Sequence, residues 1–299
     1  MTIGVTFIVL IAALLHAGWN ALLRAGADRL WSMTMMSAAV AIVCGGLAFI
    51  VPVPAGASWG CVVLSALLHV GYNLFLVRTY RSGDLGQTYP IARGSSPLLV
   101  ALGAALFARE LPDPINMLGI LLVSGGIISL AFQGRRLGRD VLPYALGTGC
   151  FIGAYSVTDG IGARLAGTSV GYTIWMSLLG NAMMPLIYVF VRDWRGLIRS
   201  PRETWTAAAG GLASLMAYGI VIFAMSKGPM GPVSALRETS VVFAALIGWV
   251  FLKERLSAYR IAACSVVAIG ALCIGHQGRA TAPSDSPPTF TAPENPSAR

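Results

Sequence analysis

The sequence predicts an all-α integral membrane protein: ten transmembrane helices arranged as two inverted five-helix repeats. Three observations predict it. The 299 residues are 56% hydrophobic and 11% charged, against about 25% charged in soluble domains. Too few polar side chains exist to cover a soluble globule of this size. The apolar residues gather into runs of about 20, the length of helix that crosses a bilayer. The second half also repeats the first at a constant offset of 144 residues. At that offset Arg93 falls on Arg237, Ser96 on Ser240, Phe107 on Phe251, Glu110 on Glu254 and Gly126 on Gly270. The break Gln133-Gly134-Arg135 falls on Gln277-Gly278-Arg279. One register holds across two apolar segments and the polar stretch between them, as a duplicated unit requires.

In chain order the spans are placed at 3–24, 31–51, 59–79, 86–108, 115–133, 142–163, 170–191, 205–226, 231–252 and 258–276. A backbone crossing lipid must satisfy its own hydrogen bonds, so each is read as a helix. The period-2 alternation of a barrel strand is absent. Breaks between spans are short and built of turn formers and charges, as in Arg81–Asp84 and Pro112–Pro114. They leave no room for an extramembrane domain. The first repeat is assigned to 1–137, the second to 138–279, and a disordered Pro-, Ser- and Thr-rich tail to 280–299. Five helices per copy is an odd number, so the copies cross the membrane in opposite senses. In transporters such repeats place a site near the midplane, at the repeat interface.

The formal charge is +9. Nucleic acid is excluded as a partner, because the basic residues flank apolar runs rather than forming a groove-binding patch. Met1 leads almost directly into a spanning run, so no cleavable signal is expected. Lys and Arg concentrate in the breaks after spans 1, 3, 5, 7 and 9, for example Arg78, Arg81, Arg135, Arg136, Arg192 and Arg199. The positive-inside rule then places both termini outside the cytoplasm. The five cysteines lie in apolar runs without metal-binding or CxxC spacing. No metal or cofactor is expected. The chain has no nucleophile elbow, phosphate-binding loop or zinc-protease motif, so neither catalysis nor ATP-driven pumping is expected.

The candidate site residues are polar groups inside spans. Leu14-Leu15-His16-Ala17-Gly18-Trp19-Asn20 and Leu67-Leu68-His69-Val70-Gly71-Tyr72-Asn73 share one pattern. His16 and Asn20, like His69 and Asn73, lie four apart and share a helical face. They either line a wet cavity or hydrogen-bond between helices. Arg93, with Tyr89 one turn before it, and Arg237 are at membrane depth, and Glu238 stands beside Arg237. A guanidinium there either snorkels to the interface or offers its planar donor fork to a carboxylate or phosphate. Tyr155 and Asp159 make a third polar face. Since an unpaired buried charge is costly, at least one arginine is expected to pair with Glu238 or Asp159. Pro90 and Pro97 predict a kink beside Arg93, with Ser95 and Ser96 serving freed carbonyls. Pro232 reads as a helix-start proline. Gly45-Gly46, Gly125-Gly126 and Gly149xxxGly153 read as close-packing sites.

The motifs Tyr89-Pro90-Ile91-Ala92-Arg93 with Phe107-Ala108-Arg109-Glu110, and Leu236-Arg237-Glu238-Thr239 with Phe251-Leu252-Lys253-Glu254, resemble the EamA branch of the drug/metabolite transporter superfamily. The resemblance covers 3–276. It implies a central cavity between the halves, with spans 4 and 9 near its wall, and a structural role for Glu110 and Glu254. It implies a secondary transporter of the inner membrane, moving a small polar, amino-acid-like or anionic metabolite by alternating access. The partners expected are that solute and the lipid bilayer, with a homo-oligomer left open. Members are usually drawn with cytoplasmic termini, opposite to the charge count here. Small four-helix relatives couple protons through a first-helix glutamate, whereas this first span offers His16 and Asn20. A membrane-embedded enzyme acting on lipid-linked substrates, or a non-transporting structural protein, remain the alternatives in other classes.

Overall fold

The computed structural model describes residues 2–25, 28–82, 85–132, 141–192, 194–253 and 256–276. The repeat boundary at 137/138, Glu254 and the tail at 280–299 lie outside them. The long elements are helices throughout: α1 (Ile3–Ala25), α2 (Arg29–Leu47), α3 (Trp59–Ser82), α4 (Leu85–Ala108), α5 (Pro114–Ser129) and α6 (Val141–Leu165) in the first stretch. They are followed by α7 (Ser169–Arg192), α8 (Pro201–Lys227), α9 (Met230–Glu238), α10 (Ser240–Leu252) and α11 (Ala258–His276). By length and composition, nine spans among the described residues are able to cross a membrane, α9 and α10 counting as one. The tenth is α6, whose 25 residues make about 37 Å of helix. Thr148, Ser156 and Asp159 are buried on it and dilute its apolar character, because α6 packs between α3, α4 and α8 inside the bundle.

Contacts between α5 and α11 carry the two-fold relation. A Cβ on Gly119 would lie 2.8 Å from Gly270 O, and one on Gly126 would lie 3.2 Å from Ala263 O. At the repeat offset, Gly270 is the counterpart of Gly126 and Ala263 that of Gly119. Val267 packs on Gly126 and Val123 on Gly270, again as counterparts. Each residue meets its partner's counterpart, the signature of an isologous two-fold contact. The two helices therefore run antiparallel, as inverted repeats require. The same symmetry appears in the backbone: Arg109 and Lys253 both turn left-handed, at φ 55° and 54°. They are the only described non-glycine residues that do so.

Loops meet on the faces that alternate crossing assigns to them. Asp28, capping α2 through Trp31 N–H, pairs with Arg192 and, at 3.0 Å, with Arg199. That joins the breaks after α1 and α7. On the opposite face Arg164 pairs with Glu110 and donates to the carbonyls of Met225 and Gly228 at 2.9 and 2.8 Å. Glu110 also accepts from Met230 N–H at 3.0 Å. The expected structural role of Glu110 is thus to staple the ends of α4, α6 and α8 to the start of α9.

The two copies differ where the site lies. α4 runs uninterrupted through Pro90 and Pro97, whereas the equivalent span has one tightened turn at Thr239, which keeps right-handed helical dihedrals between α9 and α10. The tightened turn falls beside Arg237. Thr239 makes the turn itself: its Oγ1 donates to Leu236 O at 2.7 Å and its N–H to the same carbonyl at 3.1 Å. In α4 the carbonyl of Arg93 loses its helical donor to Pro97, and Ser96 Oγ replaces it at 3.0 Å. Gly149 and Gly153 let α6 close onto α4, where a Cβ would meet Ser95 Oγ and Leu99 Cβ at 2.3 and 2.8 Å. Pro232 sits in the first turn of α9 as expected. Gly45 and Gly46 differ from expectation: a Cβ on either would meet nothing closer than 3.8 Å. Gly125 likewise faces open space.

Candidate substrate-binding site

Four charged side chains are buried among the described residues: Arg93, Asp159, Arg237 and Glu238. Three form one cluster. Arg237 Nη2 and Nε donate to Glu238 Oε1 at 3.0 and 3.3 Å. Arg93 Nε lies 2.7 Å from Oε2 of the same carboxylate. Its N–H is off the line of contact, so charge rather than an aligned hydrogen bond holds that pair. Arg93 Nη2 donates to Ser240 Oγ at 3.2 Å, and Ser96 Oγ is 3.3 Å from Glu238 Oε1. Ser96 has one proton, so it serves Glu238 or the Arg93 carbonyl at any moment. The Tyr89 ring centroid is 5.8 Å from the Arg93 guanidinium carbon, within cation–π range.

The cluster holds two cations and one anion because the repeat is broken at one position. The counterpart of Glu238 is Gly94. A Cβ there would lie 2.6 Å from Ile128 Cγ1 and 2.9 Å from Ser124 O, so α5 leaves no room for a second acid.

Beside this cluster is a cavity of about 110 Å³ between α1, α2, α3, α6, α7, α8 and α9. Its wall includes His16, His69, Asn73, Tyr155, Tyr218 and Arg237. The histidine stripes are thus brought together with one arginine. The remaining candidates stand off the cavity. Asn20 donates to the His16 carbonyl of its own helix at 2.8 Å. Arg93, Glu238 and Tyr89 form the layer behind Arg237. His16 Nδ1 accepts from Trp19 Nε1 at 3.2 Å. His69 Nδ1 meets Ser65 O at 2.9 Å, and its ring stacks on Tyr155 with centroids 4.0 Å apart.

Asp159 does not join the arginines. Its Oδ1 accepts from Tyr172 OH at 2.9 Å, and its Oδ2 accepts from Tyr218 OH. Gly162 makes space for the Tyr172 ring, since a Cβ there would lie 2.4 Å from it. These tyrosines are site residues that the sequence reading passed over. A signal existed: a lone acid in a span needs donors, and tyrosines elsewhere in apolar spans are able to supply them. Trp19 and Tyr72, the aromatic positions of the two repeated heptapeptides, also line the cavity. Among the described residues no group of three His, Cys, Asp or Glu is placed to hold a metal.

Ion pairs link the loops on each face, a small cavity with polar groups in its wall lies between the halves, and paired charges sit beside the turn at Thr239. Residues 141–275 of this multi-pass membrane protein match the model of the EamA-like transporter family, the branch that the sequence motifs resemble. No protein of curated function matches the chain. A crystal structure whose description names only a protein superposes with a TM-score of 0.73 at 17% identity. It covers 92% of this chain and 96% of that one. At that identity the likeness carries the fold and nothing further.

Proposed function

We propose that the chain is a secondary transporter of the inner membrane that carries a small polar organic solute bearing an anionic group, by alternating access. One observation supports this above the others: two buried guanidiniums share a single carboxylate, and one of them, Arg237, faces the cavity. The cluster is one positive charge in excess. A carboxylate or phosphate on the solute supplies the missing charge and meets a planar donor fork. Arg93 and Ser240 keep Glu238 and the α9–α10 turn in place while Arg237 engages the solute. His16, His69, Asn73 and Tyr155 offer hydrogen bonds to the rest of the molecule.

The cavity volume equals about three or four waters at ≈ 30 Å³ each, below the 300–1,000 Å³ of ordinary ligand pockets. We read this as a contracted state, from which one face opens by releasing either the Glu110–Arg164 staple or the Asp28 cluster. The reading is tested by thermal shift of the purified protein against a panel of small carboxylates, phosphates, amino acids and amines. A solute that binds only the folded state raises the melting temperature. Stabilisation by anions in wild type and its loss in Arg237→Lys are expected. Stabilisation by amines alone contradicts the reading.

A further inference from the structure

Asp159 is the one buried charge that the arginine cluster leaves unexplained. It is fully enclosed, and no ion pair to it occurs among the described residues. Tyrosine hydroxyls hold it instead, from Tyr172 on α7 and Tyr218 on α8, with the Ser65 hydroxyl of α3 beside them. The two tyrosines are not equivalent. Tyr172 is fully buried, while Tyr218 is half-buried and lines the central cavity beside Arg237. The Asp159 carboxylate is therefore one hydroxyl away from the cavity. We infer that Asp159 is a proton-binding site, and that Tyr218 passes the proton from the cavity and reports its presence there.

The proton step balances on residues already in place. With Asp159 ionised, both tyrosines donate to it, and Tyr218 presents only oxygen lone pairs to the cavity. A proton arriving from cavity water is accepted by the Tyr218 oxygen as Tyr218 releases its own proton to Oδ2. Asp159 then becomes the donor, through its new O–H, to the Tyr218 oxygen, and the Tyr218 O–H turns toward the cavity. One proton enters, none leaves, and the cavity wall changes from acceptor to donor at that atom. Exclusion from water favours the neutral acid, and the donated hydrogen bonds favour the carboxylate.

Charge balance gives the step a purpose. The four buried charges are Arg93 and Arg237 against Glu238 and Asp159. They sum to zero when Asp159 is ionised and to +1 when it is protonated. The protonated state is the one that a monoanion neutralises, so proton and anion favour each other's binding, and by linkage they do so reciprocally. This purpose rests on the anionic-solute reading, whereas the proton site itself does not. The other titratable groups facing Asp159 are Cys61 and His69 of α3, with Tyr155 on its own helix. Met230 of α9 packs against the adjacent Gly160 and adds none.

Infrared difference spectroscopy of the purified full-length protein, stepped between alkaline and acidic pH without any solute, tests the site. A protonated-carboxyl stretch is expected to appear on acidification, to persist in Glu238→Gln and to vanish in Asp159→Asn. A tyrosine C–O band is expected to change in step and to vanish in Tyr218→Phe, which keeps the carboxyl band. If Asp159→Asn does not fold, Tyr218→Phe carries the test through the tyrosine band. A carboxyl band that persists in Asp159→Asn, or a tyrosine band unaltered by pH or unaffected by Tyr218→Phe, overturns the proposal. Titration at Asp159 without any anion binding leaves the proton site standing and removes the anionic-solute reading. Anion binding without the band does the reverse.

Discussion

Arg93 Nε and Glu238 Oε2 lie 2.7 Å apart, although one belongs to each half of the chain. This pair joins the two repeats through the acid that only the second copy possesses. It makes Glu238 the one carboxylate balancing two buried guanidiniums. Removing one member of a buried pair is far more damaging than replacing all members with apolar groups. Glu238→Gln is therefore expected to destabilise the protein by about 3–5 kcal/mol, seen as a lower melting temperature in detergent. Adding Arg93→Met to Glu238→Gln is expected to restore part of the loss. A Glu238→Gln protein as stable as wild type contradicts the shared-carboxylate account.

The α5–α11 contact sets how closely the repeats approach. Gly119 and Gly270 let the two backbones nearly touch. Gly119→Ala overpacks that seam and is expected to cost about 1–3 kcal/mol. Gly270→Ala is expected to cost a similar amount, because a Cβ there would lie 2.8 Å from Gly119 O and 2.9 Å from Val123 N. Gly46→Ala meets nothing within 4 Å and serves as the neutral control in the same melting assay.

The cavity wall is open to chemical mapping. In a background lacking Cys44, Cys61, Cys150, Cys264 and Cys273, single cysteines at His16, His69 and Asn73 are expected to react with a small polar thiol reagent. A cysteine at Asn20 is expected to react at least tenfold more slowly, since Asn20 is not part of the wall. Equal rates at all four positions contradict the cavity as drawn.

The Asp28 cluster gives a pH signature outside the membrane. Burial pushes the Asp28 carboxyl up, but the Trp31 N–H, with Arg192 and Arg199, outweighs burial and holds it below the usual carboxylate value. A carboxyl depressed in the folded state contributes stability above its unfolded pKa of about 3.9, and loses it as pH falls through the lower folded value. The melting-temperature gap between wild type and Asp28→Asn is thus expected to be present at neutral pH and to shrink below about pH 4. A gap that widens on acidification reverses the sign and contradicts the account.

Orientation is checked by reporters. The charge asymmetry predicts that a C-terminal fusion reads as outside the cytoplasm. A cytoplasmic signal shows instead that these flanks do not set orientation, and favours the arrangement usual for the family.

Much of the fold was legible because lipid leaves few solutions. The apolar runs mark the spans, and the 144-residue register foretells the antiparallel approach of α5 and α11. Arg93, Arg237 and Glu238 stood out because charge at membrane depth is rare. The tightened turn at Thr239 was not legible, since Val233–Leu252 contains no proline or glycine at that point and the prolines lie in α4 instead. The threonine hydroxyl and N–H both bond back to Leu236 and tighten the turn there. Asp159 was legible as a buried acid but not its partners. Spacing does not tie Tyr172 and Tyr218 to it; the packing of α7 and α8 on α6 aims both hydroxyls at one carboxylate. Asn20 shares a face with His16, yet its amide turns to its own backbone, a choice that spacing alone does not fix.

The central claim is that Arg237 recognises an anionic group on a transported solute. The most direct measurement is uptake by proteoliposomes from a defined metabolite mixture, read by mass spectrometry, with wild-type and Arg237→Lys proteins reconstituted at equal density. The account predicts that wild type accumulates one or a few small anionic metabolites and that Arg237→Lys, correctly folded, loses at least tenfold of that uptake. Undiminished uptake by Arg237→Lys, or accumulation of cationic solutes only, contradicts it.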